Sequence, residues 1–163
     1  MKIGIISDSH DHHKNVLKAT DIFNRHNVEY VFHAGDIVSP FTAKAFAAIN
    51  NAKFIAVFGN CDGERILLSA AIKEFGGEVF DDCYMGKIDG KRIFMTHRPS
   101  VIDEVAGSKN FDLVIHGHTH KPEMKMTAET MVINPGESTD WLTGQSHIVV
   151  VDLDGMRAQE IEL

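Results

Sequence analysis

The stretch FIAVFGNCDG, residues 54–63, joins an apolar run to a polar ending, and this combination decides the fold. The five residues FIAVF form a short run rich in Ile, Val and Phe, which favours a buried strand. A glycine follows, and then an amide, a thiol and a carboxylate in Asn60, Cys61 and Asp62. Such an ending predicts a sheet whose edge holds a functional site.

Four other apolar runs end in the same way. KIGII leads into Ser7-Asp8-Ser9-His10, YVF into His33-Ala34-Gly35-Asp36, RIFM into Thr96-His97, and LVI into His116-Gly117-His118-Thr119-His120. Taken alone, each ending is more often an ordinary turn or a surface histidine. Because the carboxyl ends of strands in an open α/β sheet face one crevice, the five endings together predict one convergent site.

Short apolar runs alternate with helical patterns through the first two thirds of the chain. We predict helices around Val16, Leu17, Ala19 and Phe23, from a Ser39-Pro40 start with Phe41, Ala45 and Ile49 inward, over Arg65 to Phe75, and over Val101 to Ala106. The last third, with ETMVINPG, HIVVVDLDG and MRAQEIEL, predicts mostly antiparallel strands. Asp89-Gly90 and Asp154-Gly155 are typical of type I′ hairpin turns. The pattern favours an α/β fold with parallel pairing in the first part.

Composition excludes several classes of protein. With 163 residues and 44% apolar content, the chain predicts a single domain over residues 1–163. Two cysteines and no signal-peptide pattern lead us to expect a cytoplasmic protein with reduced thiols. No apolar run approaches the roughly 20 residues of a membrane span. A net charge of −7 without clustered Lys and Arg argues against a nucleic-acid surface.

The strand endings supply more metal-ligand side chains than one ion needs. The candidates are Asp8, His10, Asp36, Asn60, His97, His118 and His120. A single zinc site takes about four protein ligands, so seven predict two cations, with the Asp36 carboxylate as the natural bridge. Imidazole, carboxylate and amide ligands together favour Mn²⁺ or Ni²⁺, then Zn²⁺, Fe or Co²⁺, and disfavour Ca²⁺ and Mg²⁺.

The order of these motifs resembles a known family. Asp8-x-His10, Gly35-Asp36, Gly59-Asn60-x-Asp62, His97 and Gly117-His118-x-His120 resemble the motifs of the calcineurin-like metallophosphoesterase superfamily. The resemblance extends from residue 3 to about residue 140 and includes Asn134-Pro135-Gly136. The compact length and the Asn-Cys-Asp sequence are similar to its small single-domain phosphodiesterase branch in bacteria and archaea.

The resemblance implies a fold, a metal centre and a reaction. The fold would be a sandwich of two mixed β-sheets flanked by helices, in four layers α/β/β/α. One metal would be held by Asp8, His10 and His120, the other by Asn60, His97 and His118, with Asp36 bridging. Two cations roughly 3.5–4 Å apart share a hydroxide that attacks a phosphoester in line. The residues expected to take part in catalysis are Asp36, Asn60, Asp62 and His97, and those expected to contact a small phosphoester substrate are Asn60, Cys61 and Arg98.

Cys61 stands where most of the superfamily has a histidine. A thiol has an ordinary pKa near 8.5 against about 6.5 for imidazole, so it is the poorer proton donor to a leaving group. We therefore expect a phosphodiesterase with weak monoesterase activity. Cys61 as a soft eighth metal ligand is less favoured because the ligand set is already full. Cys61 as a nucleophile is less favoured because its only evident base is Asp62. Asp62 is expected to orient a neighbouring ligand.

Several other residues near the motifs remain open to two interpretations. Arg98 replaces a common glycine of the family and is equally suited to hold a phosphate or to pair with a surface acid. His12 and His13 either line the mouth of the site or are solvated, and His33 and His116 either support ligands or are strand-end residues. Packing roles are expected for Cys83, Met95, Met124, Met126 and Met131.

A scaffold function is the alternative to catalysis. One eukaryotic relative of this branch is a scaffold subunit of a membrane-trafficking complex with an impaired metal site, so fold alone does not prove an enzyme. The complete ligand set favours an enzyme here. No insertion is large enough for a cap domain, so we expect an open site with specificity set by short loops, including Pro122 to Glu129. Methionine-rich edges in the last third permit a homo-oligomer.

Overall fold

The computed structural model describes residues 1–163 and contains eleven strands and four α-helices. The strands are β1 (Lys2–Ile6), β2 (Tyr30–His33), β3 (Lys53–Val57), β4 (Glu78–Phe80), β5 (Cys83–Ile88), β6 (Lys91–Thr96), β7 (Leu113–Ile115), β8 (Glu123–Thr127), β9 (Thr130–Asn134), β10 (His147–Asp152) and β11 (Arg157–Glu162). The helices are α1 (His13–His26), α2 (Pro40–Ala43), α3 (Arg65–Glu74) and α4 (Ile102–Gly107), with 3₁₀ turns at Lys44–Ala48 and Pro99–Val101. None of the helices has both the length and the apolar character that crossing a membrane requires.

The strands form two mixed sheets. The six-stranded sheet has the order β11-β10-β1-β2-β3-β4, and the five-stranded sheet has the order β5-β6-β7-β9-β8. Parallel pairing runs from β1 through β4 and again across β6, β7 and β9. The antiparallel pairs lie at β5, β8, β10 and β11. The prediction of a mostly antiparallel last third is confirmed, except that β9 also pairs in parallel with β7.

The sheets and helices pack as four layers. Between the sheets, side chains such as Ile5 and Phe32 meet Ile93, Leu113 and others in one buried cluster. A second cluster joins α1 and α3 to the outer face of the six-stranded sheet. A third, smaller cluster buries α4 against the five-stranded sheet. The predicted α/β/β/α sandwich is confirmed.

Hydrogen bonds between loops draw the carboxyl ends of the strands together. The amide of Asp8 donates to the carbonyl of Gly35, at 3.0 Å, and so links the ends of β1 and β2. The amide of Gly117 donates to the carbonyl of His97, at 3.1 Å, and links β7 to β6. Between the two sheets, the amide of Ser138 donates to the carbonyl of Ser7, at 3.1 Å. The predicted convergence of strand ends therefore has a backbone framework.

Some local predictions are wrong. Phe41 was expected to face inward but is 72% exposed, because α2 is a single turn that gives way to a 3₁₀ segment. Met124 and Met126 are exposed on β8, whereas Met95 is buried as expected. The segment from Pro122 to Glu129 is mainly strand β8 rather than a specificity loop.

The two expected hairpins are present, with one difference in turn type. Asp89 and Gly90 have φ angles of 50° and 78°, as a type I′ turn requires. Between β10 and β11 the connection is longer, and Met156 instead of the Asp154-Gly155 pair adopts the left-handed conformation. The hairpin prediction holds at both places, and the type I′ assignment is wrong at the second.

Candidate metal centre

The first group of candidate ligands lies at the ends of β1 and β7. The Nε2 atoms of His10 and His120 are 3.3 Å apart, and their rings stack at 5.0 Å. The Oδ1 atom of Asp8 is 3.8 Å from His10 Nε2 and 3.4 Å from His120 Nε2. Asp8 and His10 thus point at the same spot as His120, which lies 110 residues after His10 in the sequence.

The second group lies beside it, at the ends of β3, β6 and β7. His97 Nε2 is 3.0 Å from Asn60 Oδ1 and 3.2 Å from His118 Nδ1. Burial, together with the nearby His97 and Arg98, lowers the pKa of His118, so its imidazole is kept neutral. A neutral imidazole is the form that ligates a metal.

Asp36 lies between the two groups. Its Oδ2 atom is 3.6 Å from His10 Nε2 and 3.4 Å from His97 Nε2. Its Oδ1 atom accepts the amide of Cys61 at 2.7 Å. Burial alone would raise the pKa of Asp36, but hydrogen bonds from His97 and Cys61 hold it well below the usual range. An ionised oxygen therefore belongs to both groups at once.

Asp8 provides a test of whether these residues fit a cation. The side chain is fully buried, and its Oδ2 atom accepts the Ser7 hydroxyl and, at 3.0 Å, the His118 amide. Its Oδ1 atom has no hydrogen-bond donor and faces His10 and His120. Burial raises the pKa of Asp8. A buried carboxylate oxygen without a donor is costly, and a cation at that position would satisfy it.

The histidine hydrogen bonds point the same way. His97 Nδ1 lies 2.8 Å from the carbonyl of Ala34, and His120 Nδ1 lies 3.0 Å from Glu137 Oε2, so each Nδ1–H donates outward. The Nε2 lone pairs then face the oxygens of Asp8, Asp36 and Asn60. Burial alone would lower the pKa of His97, but Asp36 and Asp8 raise it above its ordinary value. Imidazole lone pairs that face carboxylate and amide oxygens repel them unless a cation lies between. The residues therefore fit divalent metal ions.

Five of the seven candidate ligands have left-handed backbones. Their φ angles are 51° at Asp8, 36° at His10, 60° at Asp36, 72° at His118 and 61° at His120. Side chains other than glycine adopt this region rarely, and such conformations concentrate at functional sites. The strand ends are therefore held in conformations that aim their side chains inward.

Two motif glycines are needed because the backbone comes so close to the site. A Cβ atom on Gly59 would lie 2.0 Å from Asp36 Oδ1, and one on Gly117 would lie 2.0 Å from Ser7 Oγ. Both distances are far inside van der Waals contact. Because these positions are glycine, the carboxylate of Asp36 can lie directly against Gly59, and that of Asp8 directly against Gly117.

Asp62 lies outside the convergent groups and binds backbone amides. Its buried carboxylate accepts from Asp36 at 3.0 Å, from Val38 at 2.7 Å and from Gly59 at 2.7 Å. It thus fixes the loops that carry Asp36 and Asn60. The interpretation of Asp62 as an orienting residue agrees with these contacts.

Cys61 and Arg98 both lie at the edge of the groups. The Cys61 thiol is exposed, accepts from Asn60 Nδ2 at 3.3 Å, and lies within 4.8 Å of ligand atoms of His10 and Asp36. Partial burial and the Asp36 carboxylate raise the pKa of the thiol, which disfavours a nucleophilic role. Arg98 is exposed and lines a recess of about 380 Å³ together with Asn60 and His97.

Glu137 was not among the residues predicted from the sequence. Its buried carboxylate accepts from His120, from the Thr139 hydroxyl, from the amides of Leu142 and Thr143, and from the Thr143 hydroxyl. Burial alone would raise the pKa of Glu137, but these hydrogen bonds lower it to about 2. The same sequence pattern that identified the other candidates could have identified it. Glu137 is a carboxylate that follows an apolar run, TMVIN, and the Asn134-Pro135-Gly136 turn.

Four further histidines are tied to protein groups. His33 is buried, accepts the Gly35 amide at Nδ1 and contacts the Ser9 hydroxyl through Nε2 at 3.0 Å. His116 contacts Asn134 and, at 3.4 Å, Glu123. His12 accepts the Asn15 amide at the start of α1, and the His13 ring lies 5.0 Å from that of Phe41. These four support loops and helices and do not join the two groups.

Two recesses meet at Asn60. One, of about 290 Å³, is lined by His10, Cys61, Trp141 and Leu142 among others. The second is the 380 Å³ recess, which also holds Arg65, Asp81 and Asp82. Asn60, one of the candidate ligands, is thus reached from both recesses.

Comparisons with known proteins agree with this geometry. A family model for the calcineurin-like phosphoesterase superfamily domain matches residues 1–156. A phosphodiesterase of Methanocaldococcus jannaschii is 43% identical over 166 aligned positions, which cover 100% of this chain and 99% of the relative.

Solved structures extend the comparison. An archaeal phosphodiesterase structure, 43% identical, superimposes with a TM-score of 0.95 over 100% of both chains. Vps29 from Entamoeba histolytica, solved in complex with Zn²⁺, gives a TM-score of 0.69 at 18% identity over 99% of both chains, which shows a shared fold alone. As its motifs predicted, the chain belongs to the calcineurin-like phosphoesterase superfamily and is a hydrolase of phosphoric esters.

Proposed function

We propose that this protein hydrolyses phosphodiesters at a centre of two divalent transition-metal ions. The observation that carries the proposal is the single Asp36 oxygen that contacts both ligand groups, 3.6 Å from His10 and 3.4 Å from His97. The similarity to the phosphodiesterase of M. jannaschii supports a diester as the substrate.

The chain's own side chains define two ligand sets. Asp8, His10 and His120 would hold one ion, and Asn60, His97 and His118 the other. Asp36 would bridge them through Oδ2, since its Oδ1 atom is engaged by the Cys61 amide. Four imidazoles and an amide oxygen favour Mn²⁺ or Ni²⁺, with Zn²⁺, Fe and Co²⁺ as further candidates.

When bound, two such ions would supply a hydroxide nucleophile from water and would neutralise charge on the phosphoryl group. The protein's part is to keep the ligands rigid. Ala34 and Glu137 hold the rings of His97 and His120, and Asp62 acts as a positioning residue for the loops of Asp36 and Asn60. Arg98, exposed beside His97, is free to contact a phosphoryl oxygen, and Asn60 and Cys61 lie where the two recesses meet.

Cys61 sets the preference for diesters. A protonated thiol carries no charge and gives up its proton reluctantly, so an alkoxide leaving group of a monoester gains little help. We expect Cys61→His to raise monoester hydrolysis at least about tenfold, which is a part of the roughly 10²- to 10⁴-fold that a well-placed general acid supplies, with a smaller effect on an activated diester. Steady-state kinetics with a matched aryl monoester and diester test this. An unchanged monoester rate would remove the assigned role of Cys61.

Metal exchange tests the proposal as a whole. The protein is stripped of metal, Mn²⁺, Ni²⁺ or Zn²⁺ is restored in turn, and hydrolysis of an aryl phosphodiester is compared with that of the corresponding monoester. Metal should restore diester cleavage, and Asp36→Ala or Asn60→Ala should abolish it. Asp21→Ala, which changes an exposed carboxylate on α1, is the matched control and should retain full activity.

The alternative is a scaffold with the same fold. That interpretation expects tight metal binding without hydrolysis of either ester. The convergence of all seven candidate ligands, including a buried carboxylate oxygen without a donor, supports the enzyme.

A further inference from the structure

One wall of the 290 Å³ recess is apolar although the floor is polar. Trp141 and Leu142, in the loop between β9 and β10, line it and are 60% and 75% exposed. The indole ring lies 6.5 Å from the ring of His10 and 6.0 Å from that of His12. A broad aromatic face therefore borders a candidate metal ligand directly.

The wall is fixed in place by the carboxylate that also holds His120. Glu137 accepts the Leu142 amide at 3.0 Å and the Thr143 amide at 2.6 Å, and the same side chain contacts His120 at 3.0 Å. The Trp141 amide donates to the Thr139 hydroxyl at 3.4 Å. The backbone of the loop that carries the indole is thus tied by hydrogen bonds to the carboxylate that contacts His120. A surface ordered in advance loses little entropy when a ligand covers it.

We infer that Trp141 and Leu142 form a subsite for a flat aromatic substituent of the phosphoester. The inference rests on the proposed phosphodiesterase function, because it places the phosphoryl group at Asp36 and His10. A planar ring attached to that phosphoryl group would stack on the indole, while Leu142 covers its edge. Stacking of this kind accepts any aromatic ring, so an aryl ester and a nucleotide ester share the same chemistry.

Ligand pairs that differ only in the aromatic group test the subsite. The zinc-loaded protein is titrated with phenyl phosphate against ethyl phosphate, and with adenosine 5′-monophosphate against ribose 5-phosphate. Trp141 is the single tryptophan of the chain, so its emission reports directly on stacking. We expect quenching by the two aromatic ligands only, with dissociation constants about tenfold lower than for their partners, as base stacking on aromatic residues predicts. For each pair we compare the dissociation constant of the non-aromatic ligand with that of the aromatic one. A larger ratio for the phenyl pair indicates an aryl ester as the preferred substrate, and a larger ratio for the adenosine pair indicates a nucleotide ester.

Variants separate stacking from a general effect on the site. Trp141→Ala should raise the inhibition constant of phenyl phosphate about tenfold and leave that of ethyl phosphate within about twofold. Trp141→Phe should restore most of the difference. Met126→Ala is the matched control, because Met126 is 59% exposed on β8 and lies outside both recesses.

The subsite and the proposed function fail in different ways. Equal binding and equal quenching by aromatic and alkyl ligands, or a loss at Trp141→Ala that is the same for both, would overturn the subsite even if diesters are cleaved. Aromatic-selective quenching without any hydrolysis would support the subsite and overturn the phosphodiesterase.

Discussion

Glu137 joins two parts of the site through one carboxylate. We expect Glu137→Gln to weaken metal binding about 10- to 100-fold, because an amide has a single acceptor oxygen and cannot accept both from His120 and from the amides of Leu142 and Thr143, as the two carboxylate oxygens do. Competition with a chromogenic chelator measures the affinity. Glu123→Gln, which changes the partner of His116 outside the two groups, is the control. Equal affinity in the two variants would contradict the role given to Glu137.

His33 makes stability depend on pH. Burial lowers its pKa to about 3 in the folded protein, against 6.5 when exposed. The unfolded chain therefore binds a proton that the folded protein does not, so this contribution to stability is complete above the unfolded pKa and is lost as the pH falls. Relative to a metal-free His33→Gln variant, which cannot titrate, the free energy of unfolding should drop by about 1 kcal/mol between about pH 6.5 and 5.5. Denaturant unfolding at both pH values measures it, and a constant difference would contradict the assignment.

Residue types at strand ends could be predicted from the sequence, and their conformations could not. Asp8, His10 and Asp36 stand out because a metal ligand directly follows an apolar run. Their left-handed backbones and the single-oxygen position of Asp36 depend on loops that meet only in the folded chain, such as the Cys61 amide against Asp36. Glu137 follows an apolar run as the other candidates do, but only the folded chain brings it to His120 and to the amides of Leu142 and Thr143.

At the scale of elements, the loop from β3 to α3 offers a matched pair of glycines. Gly59→Ala would drive a methyl group into Asp36, whereas Gly63→Ala meets nothing within 4 Å. We expect the first to lower the free energy of unfolding by about 1–3 kcal/mol and to abolish activity, and the second to change stability by less than about 0.5 kcal/mol. Thermal unfolding and diester hydrolysis of both variants provide the check. If both variants had similar stability and activity, the loop at Gly59 would be able to move away from Asp36 at little cost.

Elements were easier to locate in the sequence than to orient. The predicted helix start at Ser39-Pro40 is correct. A cap shows where a helix begins and not where it ends, and α2 is only one turn long. Phe41 is therefore exposed and not buried as expected. Met124 and Met126 are two positions apart on β8, which is the pattern of a strand with one buried face. That strand lies at a sheet edge, where methionines remain exposed, and edge position is a property of the whole sheet.

At the scale of the whole molecule, metal should stabilise the fold. Metal ions would bind the assembled site and not the unfolded chain, which stabilises the folded state by about 2.7 kcal/mol at 100 times the dissociation constant. We propose that residues 1–163 are one domain, so removal of metal should lower the midpoint of a single transition. Circular dichroism and Trp141 fluorescence should report the same midpoint. Two separate transitions would show independent units, and an unchanged midpoint would show that the apo site is already satisfied.

The first strand of the chain lies in the middle of the six-stranded sheet. Ile3 pairs with Tyr30 of β2 on one side and with Val151 of β10 on the other. During synthesis β1 emerges first, yet one of its edges stays open until β10 has left the ribosome. An open apolar edge pairs readily with strands of other chains. The pairing of β1 with β10 is slow because the two strands are far apart in the sequence. β1, the strand that leads to the candidate ligand Asp8, therefore keeps one edge unpaired until β10 is available.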